Sequence, residues 1–277
     1  MAPTARVNTP LGRVMRLPFP GRIIKVGDPD SNLVKRIQHR LNEVGCGPIE
    51  ETGVFDSETT KRAVKLFQAR FPDANGLPLR IDGEVGPLTW SAMFGTSSVP
   101  SSSSAPSPLV RGAIEFAATQ IGVRESPLGS NRGQEVDQYL RAAGLNPVGN
   151  SFAWCVAFTH FCYLRAAESL ESENPHIKTA GVLDHWNKAG RKPGAVRVTH
   201  ADAVADPSLV KPGSLFIIDL GEGLGHSGMV IETANGRLVT IEGNTNDNGS
   251  RNGIGVFQRN ARKINEINKG FIDYGGF

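Results

Sequence analysis

Leu33, Ile37 and Leu41 recur about one helical turn apart behind Asp30 and Ser31, and Gly45 follows, a pattern that predicts a helix with a polar start and a glycine stop. Ala63, Val64 and Phe67 mark a second apolar helix face after Asp56, and Trp90, Met93 and Phe94 mark a third after Pro87, a residue suited to a first helical position. Gly53–Thr59 aligns with Gly83–Thr89 at an offset of 30 residues, so the second and third helices each start from a repeated glycine turn. Three short helices around one core are the expected build of this part.

Further on, Val110, Ile114, Ala117 and Ile121 mark an amphipathic helix, and Val136, Tyr139, Leu140 and Ala143 mark another. The run SFAWCVAFTHFCYLRAA follows a turn-prone Gly149-Asn150-Ser151, which puts Cys155 at or near the first turn of a buried helix. The pattern then changes to strands at Gly213–Asp219, His226–Thr233 and Leu238–Gly243, the last two joined around Ala234-Asn235-Gly236. Helices followed by antiparallel strands make the expected class α+β.

The register of that hairpin decides which residues share a face. A two-residue Asn235-Gly236 turn pairs Met229 with Glu242 and turns Glu242 away from His226. A three-residue loop with Gly236 in a bulge pairs His226 with Asn244 and Gly228 with Glu242, placing His226, Glu242 and Asn244 together. The second register is expected, because it alone lets an acid or amide orient the imidazole.

At 277 residues the chain has room for two cores, and 39% hydrophobic with 21% charged residues excludes wholesale disorder. Thr96–Pro108, TSSVPSSSSAPSP, cannot bury enough surface to fold and reads as a linker with a reach of roughly 20 Å. The expected division is a basic N-terminal arm over 1–26, a first domain over 27–95, the linker over 96–108 and a second domain over 109–277. Residues 1–26 carry Arg6, Arg13, Arg16, Arg22 and Lys25 without an acid, and are expected to form a solvated leader. A net charge of +3 gives no pull toward nucleic acid. No stretch reaches membrane-span length, and the N-terminus lacks the apolar run of a secretory signal, so synthesis in the cytoplasm and release or delivery to the wall by another route are expected. Three cysteines leave at least one free thiol.

Cys155 carries the candidate chemistry. A helix N-terminus favours a thiolate through its dipole and unpaired N–H groups, and those groups can hold the oxyanion formed when an amide carbonyl is attacked. A cysteine on an apolar helix is more often core. Cys162, about two turns on, and Cys46, between Gly45 and Gly47, read as structural. Asp56, Thr59, Asp82 and Thr89 read as capping and turn residues.

Gly53–Gln68 and Asp82–Trp90, within Asp28–Gly95, resemble the small three-helix peptidoglycan-binding domain of wall hydrolases, and the resemblance implies peptidoglycan as partner. Trp154-Cys155-Val-Ala-Phe158, Pro212-Gly213, Gly225-His226-Ser-Gly-Met-Val230 and Ile241-Glu242-Gly-Asn244, within Val110–Phe277, resemble the CHAP family of cysteine, histidine-dependent amidohydrolases and peptidases. That resemblance implies a papain-like α+β domain with Cys155 as nucleophile, His226 as general base and acid, and Glu242 or Asn244 as the orienting third group. It implies a peptidoglycan amidase or endopeptidase, in the manner of a lytic phage endolysin or of an interbacterial toxin. The chain is expected to be monomeric and to use no cofactor. Some members bind calcium through an Asp-rich loop before the cysteine; Asp137 is the one Asp between linker and Cys155, so a metal-independent enzyme is expected.

Trp154, Trp186 and Glu125 are candidate substrate contacts, with core packing the default role for the aromatics. His160, His176, His185 and His200 lack tight ligand spacing, which leaves a zinc amidase as a lesser alternative. A lysozyme-like pair of Glu125 and Glu242 is a second alternative, and a non-catalytic wall-binding protein a third.

Overall fold

The computed structural model describes residues 6–9, 12–15, 17–73, 76, 78–95, 104–234, 236–245 and 253–277, in two compact units. Arg16, Asn235 and linker residues 96–103 lie outside the described residues.

The first unit opens with a short hairpin, β1 (Arg6–Thr9) and β2 (Gly12–Met15). The next stretch belongs to the domain rather than to a leader. Ile24 is fully buried and exchanges two backbone hydrogen bonds with Val85, the Trp90 indole N–H donates to the Leu17 carbonyl at 2.9 Å, and Arg22 pairs with Asp28. The domain therefore reaches back to Leu17.

Three helices follow as the periodicity predicts: α1 (Ser31–Glu43), α2 (Thr60–Arg70) and α3 (Pro87–Phe94). Asp30 caps α1 by accepting from the Leu33 N–H at 3.0 Å. Asp56 lies one turn ahead of α2 and accepts from the N–H groups of Glu58, Thr59 and Thr60, so α2 starts later than the Asp56 signal alone suggests. The repeat is held by two buried glutamines. Gln38 accepts from the Gly53 N–H at 2.8 Å and donates to the Val54 carbonyl and the Thr60 hydroxyl; Gln68 does the same with Gly83, the Glu84 carbonyl and Thr89. Thr60, rather than Thr59, is thus the partner of Thr89 in the repeat.

In the second unit, α4 (Pro108–Thr119) is capped by Ser107, so the ordered domain begins just before the expected boundary. Its buried face is Leu109, Val110, Ala113 and Ala117; Ile121 lies beyond its end and is exposed. Then come α5 (Gln134–Ala142), α6 (Cys155–Ser169), α7 (Val182–Ala189), β3 (Val196–Thr199) and α8 (His200–Ala205). The strands β4 (Leu215–Gly221), β5 (Leu224–Ala234), β6 (Arg237–Thr245), β7 (Gly255–Lys263) and β8 (Gly270–Asp273) complete a six-stranded antiparallel sheet ordered β3-β8-β4-β5-β6-β7. Leu215, Ile217, Met229 and Ile241 join the helices in one core, and the class is α+β.

The central hairpin corrects one expectation and keeps its consequence. Ala234 pairs with Arg237, the register expected of the two-residue turn rather than of the three-residue loop. A bulge between Val230 and Glu232 then absorbs Ile231, and below it Met229 pairs with Ile241. Continuing that register sets Gly228 across from Glu242 and His226 across from Asn244. The bulge does the work that had been assigned to the turn.

Gln38→Ala and Gln68→Ala should each destabilise the first domain by about 3 kcal/mol, because each orphans a buried N–H. Calorimetry of the whole chain checks this, with exposed Lys65→Ala as a silent control.

Candidate active site

Cys155 is the first residue of α6, and its neighbour Trp154 is the N-cap without a side-chain cap. The first intrahelical donor is Phe158, whose N–H bonds the Trp154 carbonyl at 2.9 Å. The N–H groups of Cys155, Val156 and Ala157 thus stand at the open end of the helix. Gly243 lets α6 approach β6 this closely, since a Cβ there would lie 2.7 Å from Phe158 Cβ and 2.8 Å from the Trp154 ring.

His226 on β5 and Cys155 line the same cleft, and the thiol helps raise the His226 pKa. Its Nε2 lies 2.8 Å from Glu242 Oε2, and because an ionised carboxylate can only accept, Nε2 carries the proton. That leaves Nδ1 for the thiol. Gly228 makes room for this contact: a Cβ there would come within 2.7 Å of Glu242 Cγ and 2.8 Å of the Phe216 ring. Glu242, with no exposed surface, also accepts from Thr240 Oγ1 at 2.6 Å and from Arg262 at 2.5 and 2.6 Å.

The electrostatics follow from this geometry. Burial opposes the His226 imidazolium, but the hydrogen bonds to Cys155 and Glu242 outweigh it and raise its pKa to about 9. Burial likewise opposes the Glu242 carboxylate, and the Arg262 and His226 hydrogen bonds overcome it, lowering the pKa to about 2.

Asn244 plays a different part from Glu242. It adopts a left-handed backbone with φ +53°, and its buried Oδ1 has no hydrogen-bond partner among the described residues. Of the two candidates, Glu242 is the one bonded to the imidazole. Cys155, His226 and Asn244 line a cleft of about 510 Å³, with Asn131, Leu224 and Gly129 among the other walls.

The remaining candidates lie elsewhere. Trp154 is fully buried and donates its indole N–H to Glu125 Oε1 at 2.9 Å, while Glu125 Oε2 accepts from the Asn131 N–H at 3.1 Å. Trp186 is buried under Arg197, whose guanidinium lies 4.9 Å from the ring centroid. None of the three lines the cleft, so their observed roles are in packing and support. The large indoles fill the core, and the Glu125 carboxylate is held by two donors. Cys46 and Cys162 are buried free thiols. Asp137 is gripped by Arg132 at 2.7 and 2.8 Å.

His160, His176 and His185 gather beside Tyr274 but point inward to one another, with His176 and His185 rings 4.2 Å apart. Burial pulls all three imidazoles down in pKa, His185 to about 3, which keeps them neutral. His200 donates to the Ile267 carbonyl at 2.9 Å. Among the described residues no three His, Cys, Asp or Glu side chains group as metal ligands would.

Sequence reading missed Arg262 and Thr240, and named Gly228 only as the residue across from Glu242. Thr240 was findable two residues from Glu242 on the same strand face. Arg262 was not, because its strand had no predicted register.

These shifts set opposite pH limbs for stability. The His226 contribution is present below its ordinary value of 6.5 and is lost as pH rises through about 9. The Glu242 contribution is present above 4.5 and is lost as pH falls through about 2. In denaturant titrations the decline between pH 6.5 and 9 should flatten in His226→Gln, and the acid decline should flatten in Glu242→Gln.

Residues 30–93 match the family model of a peptidoglycan binding domain, within the three-helix unit described above. No curated protein and no solved structure matches the chain. Among the described residues no helix is long and apolar enough to cross a membrane. The matched domain supports peptidoglycan as a partner, and with it an association of the chain with the cell wall.

Proposed function

We propose that the chain is a peptidoglycan hydrolase whose second domain cleaves an amide bond by cysteine chemistry. The observation that carries this reading is the line Cys155–His226–Glu242, set at an open helix end and facing a cleft. Cys155 passes its thiol proton to His226 Nδ1, its Sγ attacks the amide carbonyl carbon, and the carbonyl oxygen becomes an oxyanion beside the N–H groups at the start of α6. Those groups can supply a factor of roughly 10²–10³ in rate per well-placed donor. The C–N bond breaks as the His226 imidazolium gives its proton to the leaving amine, which leaves a thioester on Cys155. Water then attacks the thioester while His226 takes its proton, releasing the carboxylic acid and the free thiol.

Glu242 holds the imidazole by Nε2 throughout, so Nδ1 is the nitrogen that exchanges protons. The first domain adds local concentration at an insoluble polymer and leaves the chemistry unchanged. The zinc alternative gains nothing from His160, His176 and His185, which are turned toward one another and Tyr274. The glycosidase alternative gains nothing from Glu125, whose two oxygens already serve Trp154 and Asn131. A lytic endolysin is the setting we favour; an interbacterial toxin would use the same chemistry.

Wild-type protein should release fragments from purified peptidoglycan, and Cys155→Ala should lower the rate by at least about a thousandfold while still co-sedimenting with the wall. Mass spectrometry of the fragments names the bond, separating the lactyl–L-alanine amide from amides within the stem peptide. Equal cleavage by both proteins would remove Cys155 from the chemistry.

A further inference from the structure

Glu242 meets charged or titratable groups from two neighbouring strands: His226 from β5, and Arg262 and Arg259 from β7. Arg259 Nε stands off at 3.8 Å from Oε1. Arg262 grips both oxygens, Nε to Oε1 at 2.5 Å and Nη2 to Oε2 at 2.6 Å. Its guanidinium also lies 4.7 Å from the centroid of the Phe216 ring, which is itself 5.6 Å from the His226 ring. Arg262 does not line the cleft. It touches the carboxylate and the aromatic ring beside the imidazole, and reaches the thiol only through them.

We propose that Arg262 is a positioning residue for the cysteine: its two-pronged grip keeps Glu242 ionised and aims Oε2 at His226 Nε2, which turns Nδ1 toward Cys155. This inference rests on the amide-hydrolase reading of the site. A carboxylate removed from water takes up a proton unless cations and donors compensate it. Arg262 is the first of the groups that hold Glu242 ionised against its burial. A neutral Glu242 could still hydrogen-bond the ring but would no longer favour the imidazolium. An arginine is suited to this role because its parallel N–H groups fix both oxygens, whereas a lysine offers a point charge to one.

The test is the pH dependence of Cys155 alkylation by iodoacetamide, read by peptide mass spectrometry, in wild type, Arg262→Met, Arg262→Lys, Glu242→Gln and the Glu242→Gln/Arg262→Met double variant. The buried Cys46 and Cys162 peptides serve as internal controls, and circular dichroism reports the fold. In Arg262→Met the midpoint should move up by about one pH unit and wall cleavage should fall about 10–100-fold in kcat, with KM little changed. Arg262→Lys should recover part of both. Adding Arg262→Met to Glu242→Gln should change neither, because the arginine acts through the carboxylate.

A profile and kcat in Arg262→Met that superimpose on wild type would overturn the proposal. So would an undiminished effect of Arg262→Met in the Glu242→Gln background. If Arg262→Met does not fold, Arg262→Lys decides: a wild-type profile and rate overturn the proposal, and a displaced midpoint supports it. The hydrolase reading fails separately, when Cys155→Ala still cuts the wall; alkylation then still reports on the arginine, since it needs no substrate.

Discussion

A carboxylate without access to water stands at the centre of the second domain, and much of the surrounding sheet is arranged to tolerate it. Isolated in a dry interior, Glu242 would cost several kcal/mol or take up a proton. Instead both oxygens are saturated, by an imidazole on one neighbouring strand, a guanidinium on the other and a hydroxyl two residues away. Three strands must be in register for those partners to meet. Gly228 must also lack a side chain, or the carboxylate could not cross the strand to reach the imidazole.

The first domain solves a similar problem with buried side-chain amides. Each glycine turn leaves a backbone N–H pointing inward, and a buried glutamine from the preceding helix accepts from it while its amide nitrogen binds the following carbonyl and threonine. The same device occurs twice because the sequence repeats. The copies differ at one donor bond: the Gln68 amide also reaches the Asp82 carboxylate at 2.8 Å, where the Gln38 amide meets the Thr52 hydroxyl at 3.2 Å.

Legibility varied with the range of the interaction. Helices α1 to α3 could be read from apolar spacing, and Cys155 at a helix start from the turn residues before it, because these are local patterns. The basic, acid-free composition of 1–26 suggests a leader, whereas Ile24 and Leu17 are held by Val85 and Trp90, more than 60 residues on. Trp154, Trp186 and Glu125 show a second limit of local patterns. A large aromatic beside a nucleophile gives the same sequence signal whether it stacks on a ligand or fills a core, and only the indole N–H to Glu125 shows which. Arg262 had no local signal, since the strand that carries it was never delimited.

The bulge at Ile231 divides β5 into two stretches of different register against β6. Below it, His226 belongs with the even-numbered positions; above it, Thr233 is buried and Glu232 is exposed. The bulge thereby separates the register at the histidine from the register near the turn. Gain or loss of a residue at the tip can be met by creating or erasing a bulge, with the lower strand left in phase. Within such a strand, alternation counted from the turn assigns the wrong face to the one residue that matters most, and alternation counted from the histidine assigns the right one.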